Sequence, residues 1–137
     1  TPWSTLDDYV DLLDFIERES LIDHLDPVQL AIRLLIPPGS LLAGRAETKP
    51  FLGPLDPERF TFTWDHPDAR VDRLYRDVGA IVERAAHDGE DPLVTFHRIR
   101  ARAGSATSGS ASSPALALPA ARRDKGRPPR LTEPWFC

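Results

Sequence analysis

Apolar residues recur at helical spacing near the start of the chain, with polar residues between them. The apolar stripe consists of Leu6, Tyr9, Val10, Leu13 and Ile16. The intervening positions are mostly acidic, which we interpret as a solvated face. Thr5 and Asp8 have the spacing of a capping box, so the pattern predicts a helix that begins directly after Thr5.

Two further helices are predicted in the second half of the chain. Pro67 suits the first turn of one of them, and Gly89 ends it. Its apolar stripe consists of Val71, Leu74, Tyr75, Val78, Ile81, Val82 and Ala85. Asp91 and Pro92 cap the next helix, which runs out near Ala103. The inner face of that helix would be Leu93, Phe96 and Ile99.

Residues 28–36 form a short, nearly continuous apolar run that is stopped by Pro37-Pro38-Gly39. Continuous hydrophobicity, unlike strict alternation, is typical of a strand buried on both faces of a parallel sheet. A helix followed by such a strand is half of a βαβ unit. Arg33 is the exception inside the run, because an unpaired guanidinium is very costly to bury. We expect either a ligand contact or a structural ion pair at Arg33.

The segments between the strand and the second helix carry weaker patterns. Residues 40–45 could form a short helix opened by Ser40, and residues 50–59 are a Pro-rich connector. Residues 60–64 alternate aromatic side chains with Thr, which predicts an edge strand or an extended segment that packs its rings on the core.

Composition changes sharply after Gly104. Residues 104–130 are rich in Gly, Ser, Ala, Thr and Pro, and they cannot bury enough apolar surface to offset the entropy of ordering. We therefore predict a disordered linker, followed by the aromatic segment 131–137. The 137 residues contain no Met, which suggests a fragment, and a single Cys, which excludes internal disulfides and cysteine-rich metal sites.

Charge and hydropathy exclude two classes of partner. The net charge is −4, with an acidic first third and a basic tail. The basic run 122–130 is short, broken by Pro and without interleaved aromatics, so we expect no nucleic-acid binding. No stretch approaches the ~20 apolar residues that span a bilayer, and no secretory signal is present. We expect no membrane partner and a cytoplasmic location.

Candidate chemistry is sparse. The four His residues lack metal-ligand spacing, and the sequence contains no phosphate loop, nucleophile elbow or zinc motif. Cys137 alone offers redox or nucleophilic chemistry. The pattern by itself supports a soluble α/β segment with a disordered tail.

Three stretches together resemble the C-terminal portion of a radical S-adenosylmethionine (radical SAM) enzyme. They are Thr1-Pro2-Trp3-Ser4-Thr5, the block from His24 to Ser40, and Leu131-Thr132-Glu133-Pro134-Trp135-Phe136-Cys137. More narrowly, they resemble the group named for its CUAEP or CCAEP tail, a selenoprotein-like ending. In that group the cysteine is followed by selenocysteine or a second cysteine, then Ala-Glu-Pro.

The resemblance implies an α/β fold, the C-terminal fragment of a partial (βα)6 barrel with a helical extension and a disordered tail. Residues 1–45 would end the barrel, 46–103 would form a mainly helical extension, 104–130 the linker, and 131–137 a thiol-bearing tail. The rest of the barrel would be the partner. The substrate is unknown.

The resemblance also implies cofactors, S-adenosylmethionine and a 4Fe-4S cluster. The family's Cys-x3-Cys-x2-Cys cluster motif is absent, so this chain alone should not initiate radical chemistry. By the same resemblance Gln29, Arg33 and Ser40 would lie near the cofactor, and Cys137 would be the catalytic thiol.

A different class of protein is also compatible with the pattern, namely a small non-catalytic α-rich interaction module with a basic disordered tail. A self-contained helical core around residues 71–99 would favour the module. An exposed apolar face and an unpaired edge on the strand 28–36 would instead indicate that barrel neighbours are missing.

Overall fold

The computed structural model describes residues 1–108. The elements in chain order are α1 (Leu6–Arg18), two 3₁₀ helices (Ile22–His24 and Pro27–Ala31), β1 (Leu52–Asp56), β2 (Thr61–Trp64), α2 (Ala69–Asp88) and α3 (Pro92–Ser108). Within these residues the fold is α/β, with three helices and one small antiparallel sheet of two strands. No part of a βα barrel is present in this part of the chain.

Helix α1 begins where the sequence predicted. Thr5 Oγ1 accepts a hydrogen bond from the Asp8 amide at 3.1 Å, and Asp8 Oδ2 accepts one from the Thr5 amide at 2.7 Å. These two bonds satisfy amides that have no partner inside the helix. The capping box and the helix are confirmed.

Helix α2 is also confirmed, although it begins two residues later than Pro67. Asp68 caps it, because its Oδ1 accepts a hydrogen bond from the Arg70 amide at 2.9 Å. The helix ends at Gly89, which has a left-handed φ of 61°. Glycine adopts this conformation without the steric cost that a Cβ imposes.

Helix α3 runs through Ser108, past the predicted end near Ala103. Ala103 is fully buried and Ala106 packs against the core, so small residues extend the inner face of the helix. Because this burial offsets the weak helix propensity of Gly104, the predicted end was wrong. Residues 104–108 of the predicted linker belong to α3. The rest of that linker and the segment 131–137 lie outside the described residues.

The predicted parallel strand 28–36 is wrong. Asp26 and Pro27 start a 3₁₀ helix, in which Asp26 Oδ1 accepts a hydrogen bond from the Val28 amide at 2.9 Å. Residues 32–36 follow without regular structure. They contact β2 at several points: the Ile36 carbonyl accepts a hydrogen bond from the Phe62 amide at 2.8 Å, and the Leu34 carbonyl accepts one from Trp64 Nε1 at 2.9 Å. An apolar run of this length is compatible with several backbone structures. Asp26 as the cap and Pro27 in the first turn favour a helical start over a strand in the first half of the run.

The connecting segments differ from their predictions in part. Residues 40–45 form consecutive hydrogen-bonded turns in place of the predicted helix. The predicted connector 50–59 contains β1, which pairs with β2 in an irregular register. The predicted strand 60–64 is confirmed as β2, Thr61–Trp64.

One hydrophobic core joins both halves of the described chain. Its buried members are Leu6, Leu13, Ile16, Leu30, Leu74, Val78, Val82, Phe96, Ile99 and Ala103. They come from α1, the 3₁₀ helix Pro27–Ala31, α2 and α3, and α3 packs against both other helices. Within residues 1–108, none of the helices combines the length with the apolar content that crossing a membrane requires.

Candidate functional site

A cavity of about 190 Å³ lies between α1 and α2 and is closed on a third side by residues 30–33. We call it the α1–α2 cleft. Helix α1 contributes Asp8 and Leu12 to its lining, the segment after the 3₁₀ helix contributes Ile32 and Arg33, and α2 contributes Tyr75. Two helices and an irregular segment therefore build the cleft together.

Three exposed apolar side chains line this one cleft. Leu12 is 47% exposed, Ile32 is 72% exposed and Tyr75 is 39% exposed. Single apolar residues on a surface are ordinary, whereas several that converge on one concavity make it a candidate binding site.

Arg33 lies at the polar side of the cleft, and its charge is compensated. Its Nη1 is 3.0 Å from Asp72 Oδ1, and Nη2 donates a hydrogen bond to the Trp64 carbonyl. The guanidinium carbon is 3.7 Å from the Trp64 ring centroid and 5.0 Å from that of Tyr75. The cation is thus held by one carboxylate and two aromatic rings.

Asp72 links Arg33 to the start of α2. Its Oδ2 accepts a hydrogen bond from the His66 amide at 2.9 Å. The side chains of Arg33 and Asp72 are only 21% and 12% exposed, so water screens their attraction weakly. The pair fixes the position of the guanidinium relative to α2.

His66 links the segment before α1 to the start of α2 through hydrogen bonds. Its Nδ1 accepts a hydrogen bond from the Asp68 amide at 2.9 Å. Its Nε2 donates a hydrogen bond to the Ser4 carbonyl at 2.8 Å. Ser4 lines the cleft, so His66 positions one of its walls.

Two further polar groups in the lining have defined protonation states. Burial raises the pKa of Tyr9 well above its ordinary value, and its hydroxyl donates a hydrogen bond to the Leu30 carbonyl at 2.9 Å. Hydrogen bonds from the Thr5 amide and hydroxyl lower the pKa of Asp8. At neutral pH the cleft therefore presents a neutral phenol and an anionic carboxylate.

The four residues predicted as site residues are not brought together. Arg33 lines the cleft, whereas Gln29 is exposed on the 3₁₀ helix and is not part of the lining. Ser40 Oγ accepts a hydrogen bond from the Leu42 amide at 3.2 Å, within a turn. Cys137 lies outside the described residues. Of the two alternatives for Arg33, the structural ion pair is formed.

Sequence reasoning missed the apolar rim of the cleft. Leu12 lies off the buried stripe of α1, and Ile32 was assigned to a buried strand. A signal for Leu12 was present in the sequence, because it is a large apolar residue outside the apolar stripe of α1. No pattern in the neighbouring sequence indicated that Ile32 and Tyr75 would line the same cleft as Leu12.

The described residues offer no metal centre, since no group of three His, Cys, Asp or Glu side chains among them is placed to hold an ion. Comparisons of the chain with models of protein families, with curated proteins and with solved structures found no match. Residues 1–108 therefore define an α/β fold with three helices and a cleft that exposed apolar residues line beside a compensated Arg–Asp pair.

Proposed function

We propose that this chain is a non-catalytic interaction module that binds a basic protein segment by taking one of its apolar side chains into the α1–α2 cleft. The observation that carries the proposal is the convergence of Leu12, Ile32 and Tyr75 on one cleft while all three remain exposed. The cleft is smaller than the ~300 Å³ at which pockets for drug-sized ligands begin. A single side chain is a better match for its size than a cofactor.

The charge around the cleft supports a basic partner. Arg33 and Asp72 neutralise each other, which leaves Asp8 as the uncompensated charge among the acidic and basic side chains of the lining. Asp7 and Asp11 are exposed on the same helix. Complementary charge steers association and excludes partners of the wrong sign.

The core supports a module with a preformed surface. Within residues 1–108, the buried cluster draws on all three helices. A preformed surface lowers the cost of ordering the binding site when a partner associates.

Two synthetic peptides test the proposal, Lys-Lys-Trp-Leu-Lys-Lys and its counterpart with Glu in place of Lys. We expect the basic peptide to shift the methyl NMR signals of Leu12 and Ile32 in the full chain, and the acidic peptide to leave them unchanged. Ile32→Ser should weaken binding at least several-fold. Leu41→Ser is the matched control, because Leu41 is 88% exposed and does not line the cleft. Equal binding of both peptides, or undiminished binding by Ile32→Ser, would refute the proposal.

A second candidate is the C-terminal part of a radical SAM enzyme. The observation that favours it is the exposure of Ile32, Leu35 and Leu41, all in or beside the block that resembles that family. Other segments of a larger enzyme would cover this apolar surface. The single cysteine of the chain cannot hold a 4Fe-4S cluster, so the cluster and S-adenosylmethionine would bind elsewhere, and Cys137 would supply a thiol.

The genomic DNA sequence on both sides of this chain tests the second candidate function. It requires a Cys-x3-Cys-x2-Cys motif encoded upstream in the same reading frame. A UGA codon directly after Cys137, followed by Ala-Glu-Pro codons, would identify the tail. An in-frame stop codon or an initiator Met immediately before Thr1 would exclude it.

A further inference from the structure

The chain itself contains a basic segment with apolar side chains, which is the kind of partner proposed for the α1–α2 cleft. Residues 1–108 hold 19 acidic and 12 basic side chains, so the described part of the chain is strongly acidic. Residues 122–130 hold five basic side chains and one acidic side chain. The two parts of the chain therefore have complementary charge.

Apolar anchors directly follow the basic run. Leu131, Trp135 and Phe136 lie within seven residues of Arg130. Aromatic side chains bury a large area at low entropic cost, and they are enriched at the centres of interfaces. In the cleft such a ring would meet Leu12, Ile32 and Tyr75.

Chain length permits the contact. The described residues stop at Ser108 in α3, and 22 residues separate Ser108 from Leu131. At no more than ~3.5 Å per residue, such a segment can span up to roughly 75 Å. A domain of about 100 residues has a radius of gyration of roughly 13 Å, so every point on its surface is within reach.

We propose that residues 122–137 occupy the α1–α2 cleft of their own chain, with Trp135 or Phe136 as the anchor, and thereby compete with basic partners. The proposal rests on the proposed function, because it assigns an occupant to the same cleft. A covalently linked segment acts at an effective concentration in the millimolar range, which favours the chain's own segment over that of a second copy.

The test compares the full chain with a variant that carries Trp135→Ser and Phe136→Ser. We expect the methyl signals of Leu12 and Ile32 to shift between the two proteins, while the signals of Leu41 stay in place. The variant should bind the peptide Lys-Lys-Trp-Leu-Lys-Lys about tenfold more tightly, because the competing segment is lost. Leu118→Ser is the control, since it changes an apolar residue of the same tail outside the proposed segment.

Each alternative outcome has a distinct meaning. If the peptide binds both proteins equally and the cleft signals coincide, the segment is not the occupant, although the proposed function stands. If the peptide binds neither protein, the proposed function fails first and this inference fails with it. If the difference grows with protein concentration over a tenfold range, the occupant belongs to a second copy, which overturns the intramolecular proposal.

Discussion

Arg33 and Asp72 form an ion pair with 3.0 Å between Nη1 and Oδ1, which ties the irregular segment after the 3₁₀ helix to helix α2. Trp64 and Tyr75 flank the same guanidinium. This one side chain therefore connects residues 32–36, the end of β2 and α2, and it forms one side of the cleft.

Loss of Arg33 should destabilise the protein. We expect Arg33→Ala to lower the free energy of unfolding by about 2–3 kcal/mol, because it leaves the Asp72 carboxylate nearly buried and without its cation. Urea denaturation measures the change. The control is Arg59→Ala, which removes an ion pair at 3.8 Å from a side chain that is 83% exposed and should cost less than about 0.5 kcal/mol. Equal losses for the two variants would contradict the structural role of Arg33.

The buried face of α3 should dominate stability. Phe96 is the largest fully buried side chain, so Phe96→Ala should cost about 3–5 kcal/mol through lost burial and the cavity it leaves. Leu41→Ala should change the free energy of unfolding by less than about 0.5 kcal/mol, because Leu41 is already in solvent. Thermal or urea unfolding distinguishes them, and a small effect at Phe96 would mean that α3 does not pack as described.

The same substitution should have opposite effects at Gly79, inside α2, and at Gly89, which caps its C-terminus. Gly89→Ala should destabilise the protein by about 1 kcal/mol, since Gly89 has a φ of 61° that a Cβ disfavours. Gly79→Ala should stabilise it by about 0.5–1 kcal/mol, because Gly79 is inside the helix and an added Cβ there meets nothing within 4 Å. Two changes of the same sign in chemical denaturation would refute this assignment of the helix end.

Asp68 should contribute to stability only above strongly acidic pH. Hydrogen bonds from the Arg70 side chain, followed by that of its amide, lower the pKa of Asp68 from 3.8 to about 2. Because the folded state has the lower pKa, the stabilisation is complete above the unfolded pKa and is lost as pH falls from about 4 towards 2.

The variant Asp68→Asn tests this dependence, since Asn can still cap the helix. Between pH 5 and pH 2.5 the variant should lose less stability than the unmodified protein, as measured by urea unfolding at each pH. The exposed Glu83→Gln on the same helix serves as the control, which should follow the unmodified protein. An identical pH dependence for Asp68→Asn would show that the Arg70 contacts do not lower its pKa in solution.

The sequence by itself determined the three helices. The capping box at Thr5 and Asp8, the stripe from Val71 to Ala85 and the stop at Gly89 depend on neighbours within one or two turns, so they are visible in the order of residues. The strand Thr61–Trp64 was likewise visible from its alternation. The continuation of α3 past Ala103 was missed, because burial of Ala103 is a tertiary effect that outweighs the weak helix propensity of the Gly and Ser that follow.

Only the tertiary structure decided the cleft and the course of residues 28–36. The ion pair of Arg33 with Asp72 and the hydrogen bond between Phe62 and Ile36 join residues far apart in sequence. A continuous apolar run shows that burial of its side chains is favourable, but it does not show which of them are buried. Here Leu30 and Ile36 are buried, while Ile32 and Leu35 remain in solvent. The exposure that makes Ile32 a candidate contact residue thus arises from packing between distant segments, which local periodicity does not encode.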